Sequence, residues 1–147
     1  MKKQMYTLAT MLMLIGVLAV TAEGQAVNGV TIRANVPFEF TVGGKVLPAG
    51  EYRIQQVNPS SDLVMLQITT AGGEARVLAR ARSIHNENAN RTELVFNRYG
   101  SNYFLSTLAI EGATDAWQMP KSHAERAVGR ELAVLRVDPE RVAVLAR

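Results

Sequence analysis

The sequence predicts a mainly β domain, an antiparallel β-sandwich or small barrel of seven or eight strands with one C-terminal helix. Three observations predict it. Apolar and polar side chains alternate over most of the chain, which is the period of a half-buried strand. Glycine, proline and asparagine clusters interrupt that alternation at short intervals, as they do in sandwiches and barrels. Only after Pro120 does the apolar period lengthen to that of a helix.

Taken in order, Val30, Ile32, Ala34 and Val36 alternate with Thr31, Arg33 and Asn35 to give a first strand. Pro37 has no N–H to donate and places a bend or a sheet edge there. Phe38, Phe40 and Val42 then alternate with Glu39 and Thr41 until Gly43-Gly44 ends the second strand. Leu47-Pro48-Ala49-Gly50 reads as a turn, with Pro48 presetting its own φ. Residues 51–57 resume a strand with Tyr52 and Ile54 on one face, and 58–62 form a loop. Residues 63–69 turn Val64, Leu66 and Ile68 inward. After Gly72-Gly73, residues 75–84 form a longer strand with Val77, Ala79 and Ala81 on one face. Its other face carries Arg76, Arg80 and Arg82, with Leu78 and Ile84. Following a polar loop at 85–90, strands 92–99 and 103–110 make a hairpin around Gly100-Ser101-Asn102, rich in Phe96, Tyr99, Tyr103 and Phe104.

The helix starts at Ser122 and Glu125, which have capping-box spacing with Pro120 just outside. Ala124, Val128, Leu132 and Leu135 share one helical stripe, and Glu125 in the first turn and Arg136 in the last suit the helix dipole. Gly129 in mid-helix costs about 1 kcal/mol relative to alanine. Asp138-Pro139 stops the helix, and residues 141–146 give a last short strand.

Residues 1–26 have the three parts of a secretory signal: Lys2 and Lys3, an apolar run from Leu8 to Val20, and small-residue sites ending at Ala22 and Ala26. A membrane-spanning helix needs ~20 apolar residues, more than this run supplies, so cleavage is expected rather than retention as an anchor. What remains is a single β-rich domain, 27–147, bound for the periplasm or the medium. The formal charge of +3 shrinks once Lys2 and Lys3 leave, to +1, or +2 if Glu23 also goes. That balance argues against general nucleic-acid binding, which uses a concentrated basic footprint. With no cysteine, disulfides, thiolate metal sites and a cysteine nucleophile are excluded.

Val36-Pro37-Phe38-Glu39-Phe40-Thr41-Val42-Gly43 followed by Leu47-Pro48-Ala49-Gly50-Glu51-Tyr52 resembles an opening shared by short exported bacterial proteins of unknown function. Phe96-Asn97-Arg98-Tyr99-Gly100, Tyr103-Phe104-Leu105 and the run from Pro120 to Arg126 resemble further parts of the same group. The resemblance implies an exported β-rich protein and assigns no activity.

Chemistry-bearing residues are sparse. His85 and His123 are the only histidines, and neither has a partner at metal-ligand spacing. Ser122 reads as a cap, and Ser83 and Ser106 as strand residues, so no serine nucleophile is marked. Glu39 and Glu51 flank one turn but point to water on alternating strands. No metal and no cofactor is expected.

Two surfaces remain. Arg76, Arg80 and Arg82 form a stripe that could hold an anionic polysaccharide or another anionic envelope component. The simpler reading is a solvated face paired with glutamates across the ladder. Tyr99, Tyr103 and Trp117 could form a platform for sugar rings. The simpler expectation for Trp117 is core packing, from a loop position under the helix. The leading expectation is a non-enzymatic exported module that binds or supports an envelope or extracellular component. The alternative is a small barrel carrying an apolar ligand, and an enzyme comes last.

Overall fold

The computed structural model of the chain describes residues 29–59 and 63–147. The signal segment expected at 1–26 and the loop residues 60–62 lie outside the described residues. The described part is mainly β, with one helix, α1, at His123–Val134. Its strands are β1 (Thr31–Val36), β2 (Phe40–Val42), β3 (Lys45–Leu47), β4 (Gly50–Gln56) and β5 (Val64–Thr70). They continue with β6 (Arg76–His85), β7 (Glu93–Tyr99), β8 (Asn102–Ala109), β9 (Asp115–Gln118) and β10 (Glu140–Leu145).

Two layers form from one continuous ladder. Strands β1, β4, β5 and the first half of β6 pair antiparallel in the first layer. At Arg82 the same strand leaves β5 and pairs with β9, so β6 turns the corner into the second layer. That layer continues through β8 and β7 to β10. The regular ladders do not close a barrel, and a sandwich fits. A seam joins the layers at the opposite corner: Ala146 bridges Ala34, and Arg33 and Arg147 exchange backbone hydrogen bonds of 2.7 and 3.0 Å.

The alternation seen in the sequence is realised as burial. Ile32, Ala34, Val36, Tyr52, Ile54, Val64, Leu66, Ile68, Val77, Ala79 and Ala81 of the first layer all face the core. Opposite them lie Phe40, Leu94, Phe96, Leu105 and Leu108, so side chains fill the space between the layers. Phe40 and Phe96 meet edge to face, with centroids 5.3 Å apart. The Tyr52 hydroxyl donates to the Pro48 carbonyl, which pins the Pro48–Gly50 turn to the core.

Three expectations need correction. Among the described residues there are ten strands rather than seven or eight, because β3 and β9 are too short to show alternation. Gly43 and Gly44 both take positive φ (58° and 77°), the pair that a two-residue I′ hairpin demands, so the chain folds back into β3 instead of merely stopping. Trp117 packs against the core as expected, but from strand β9, opposite Leu108, rather than from a loop. Pairing is also not wholly antiparallel, since β2 meets β8 in parallel at Thr41 and Phe104.

The helix docks by a polar contact, not by its apolar stripe. The Ser122 hydroxyl accepts from the Glu125 N–H at 3.1 Å, as the capping pattern predicts. Glu125 is the only buried residue of α1, while Ala124 and Leu135 are exposed and Val128 and Leu132 half-buried. Arg136 lies just beyond the last turn with φ 55°, and the Val137 N–H returns to the Leu132 carbonyl, a Schellman stop. Gly129 rests on the Tyr99 ring, and a Cβ there would meet Tyr99 Cε1 at 3.6 Å, ordinary contact. Gly129→Ala is therefore expected to raise stability by ~0.5–1 kcal/mol through helix propensity. A higher urea midpoint with unchanged slope checks it.

Candidate functional site

The outward face of the first layer holds the candidate site. On β6, Arg76, Leu78, Arg80 and Arg82 are exposed while the residues between them are buried, so the predicted stripe exists as a face. Strand register then adds residues that no local reading brings together. Arg33 lies opposite Arg53, Arg53 opposite Thr69, and Thr69 opposite Arg76. Because Arg33 also exchanges backbone bonds with Arg147, a straight row crosses the sheet: Arg147, Arg33, Arg53, Thr69, Arg76. Neighbouring positions in such a row are ~4.8 Å apart, the spacing of strands in a sheet. All four arginines are exposed.

Beside that row runs a neutral one, Thr31, Gln55, Gln67 and Leu78. The Gln55 amide donates to the Thr31 hydroxyl at 3.0 Å, and Leu78 is 55% exposed. One position further along the strands, Met65 faces Arg80. The face thus presents guanidinia, then amides and hydroxyls, then another guanidinium.

Glutamates do not neutralise it. The cross-strand neighbours of Arg76, Arg80 and Arg82 are Thr69, Met65 and Gln118. Among the described residues the ion pairs are Arg91 with Glu93 at 2.7 Å and Arg98 with Glu140 at 3.2 Å, both in the second layer. The sequence expectation of a glutamate-paired face is therefore corrected, because register places neutral residues opposite each arginine of the stripe. Arg82 stands apart: its guanidinium donates to Gln118 Oε1 at the corner where β6 changes layer. Arg33, Arg53 and Arg147 were missed by the sequence reading because each looks like an ordinary polar position in its own strand.

The aromatic candidates sit in the second layer, away from this face. Tyr99 is buried, and its hydroxyl lies 3.4 Å from Glu125 Oε1, which also accepts from Asn97 Nδ2 at 2.8 Å. Tyr103 stacks on Phe38 with centroids 3.9 Å apart and has the Arg98 guanidinium over its ring at 5.5 Å. Trp117 is half-buried in β9. The structure does not gather the three into one platform.

His85 borders a groove of about 540 Å³ on the outer face of the second layer, together with Asn88, Glu93 and Thr107. Both carboxylate oxygens of Glu93 are engaged there, by Asn88 and Arg91. His123 is exposed at the start of α1. Among the described residues, no three His, Asp or Glu side chains come together as a metal site, and no helix is long and apolar enough to cross a membrane.

Burial raises the pKa of both Tyr52 and Tyr99 above 10.0, and for Tyr99 the negative charge of Glu125 adds to that rise. A folded-state pKa above the unfolded one gives stability that is intact below the unfolded value and lost as pH climbs through the folded value. Unfolding free energy is expected to hold up to about pH 10 and fall above it, with Tyr52→Phe plus Tyr99→Phe flattening the fall. Urea titrations across that range check it.

No family model matches the chain, and no curated protein or solved structure is significantly similar to it.

Proposed function

We propose that this chain is a non-enzymatic exported module whose arginine-lined sheet face binds an anionic polysaccharide or a comparable anionic polymer of the envelope or the extracellular space. One observation carries the reading: four arginines share a single cross-strand row, and none of them is paired with a carboxylate among the described residues. Like charges set directly opposite each other across a ladder oppose folding, so the row costs stability unless an anion lies over it. The adjacent row of Thr31, Gln55 and Gln67 supports a sugar polymer, since it offers neutral donors and acceptors to hydroxyl groups. The filled interior supports a surface module over a carrier of apolar ligands.

The test is retention on immobilised acidic polysaccharide at rising salt. The wild-type domain is expected to be held at low ionic strength and released as exposed charges are screened. Replacing Arg33, Arg53, Arg76 and Arg80 together by glutamine is expected to abolish retention without altering the far-UV spectrum. Equal retention of that variant would sink the reading, and stronger retention on duplex DNA than on polysaccharide would replace the partner class.

A further inference from the structure

One end of the row borders a depression. Arg33, Arg53 and Arg147 line a depression of about 380 Å³, together with Asn35, Glu51 and Ala71 among others. The three guanidinia are rooted on adjacent strand positions, Arg147 and Arg53 on either side of Arg33. Arg76 and Arg80 are not part of this depression. Glu51 supplies its one side-chain carboxylate, and it lies opposite Asn35 rather than opposite an arginine.

We propose that this depression is a discrete site for a single tetrahedral oxyanion, a phosphate or sulfate group. The proposal rests on reading the face as a polyanion surface, and it names the group that the surface anchors. Each guanidinium presents a planar fork of donors that matches two oxygens at once. A carboxylate has two oxygens and satisfies one fork, leaving the other two guanidinia facing each other without an anion between them. A phosphate or sulfate group offers further oxygens in other directions, so it can engage forks from three neighbouring strands. Arg76 and Arg80, outside the depression, act on the remainder of the polymer.

The experiment titrates inorganic phosphate, inorganic sulfate and acetate into the domain at low ionic strength, followed by the NMR signals of the arginine Nε–H groups. Saturable shifts at Arg33, Arg53 and Arg147 are expected for phosphate and sulfate, with acetate weaker by roughly tenfold. Arg33→Gln and Arg147→Gln should each weaken phosphate by about tenfold, and Arg33→Lys, which keeps charge but loses the fork, should do nearly the same. Glu51→Gln should tighten it. Arg76→Gln plus Arg80→Gln should leave phosphate binding intact while lowering polymer retention. Acetate binding as well as phosphate, or Arg33→Lys behaving as wild type, would overturn the proposal.

Retention of sulfated and purely carboxylated polysaccharides separates the two readings. Equal retention of both, with no phosphate site, removes the subsite and keeps the face. Phosphate binding with no polymer retained keeps the subsite for the free ion and removes the face.

Discussion

Phe96→Ala is expected to destabilise the domain by about 3–5 kcal/mol, a large part of the stability of a domain this size. Phe96 is completely buried, and it meets Phe38 and Phe40 edge to face at 5.1 and 5.3 Å. Removing the ring leaves a hole between the layers that the flanking strands cannot close, since β7 is held by β8 on one side and β10 on the other. Truncation costs both the transfer of the ring and the cavity left behind. Denaturant titration measures the loss, and a change below ~1 kcal/mol would mean that the layers pack elsewhere.

Glu125→Ala is the second large effect, expected at about 1–3 kcal/mol. Its carboxylate is the shared acceptor of Asn97 and Tyr99 beneath the helix, and the residue is 4% exposed. Without it the buried Tyr99 hydroxyl and the half-buried Asn97 amide both lose their shared acceptor, and a buried donor left unpaired costs its desolvation. Because this contact is what docks α1, the loss should appear as early exchange of the helix amides, ahead of those in the sheet. Glu125→Gln keeps one acceptor oxygen and should recover much of the docking. If the alanine variant shows helix protection equal to wild type, the apolar stripe holds the helix after all.

The helix shows where sequence pattern and structure part company. Ser122, three residues before Glu125, marks the helix start, and the cap forms. The same spacing suggests that Glu125 returns to the cap, but its carboxylate turns to Asn97 and Tyr99 on β7. Nothing in residues 120–136 reveals that, because the partners come from a distant strand. The strands were legible where β-branched and aromatic residues alternate over six positions or more, as in β1 and β5. They were not legible in β3 and β9, whose three and four residues are set by the turns around them. The stripe on β6 was visible because it is local. The row that crosses it depends on the register of three ladders and of the Arg33–Arg147 seam, which alternation cannot fix for strands so far apart in the chain.

The seam between Arg33 and Arg147 has a consequence for the order of assembly. The first strand of the domain is made early, and its outer flank stays bare until the residues that cover it have been synthesised at the far end. During that interval its unpaired amides and carbonyls can recruit a second nascent chain, the usual hazard of an uncovered strand. A domain closed by so distant a pairing folds late and slowly. Removing residues 145–147 should leave a product that collects as oligomers during refolding.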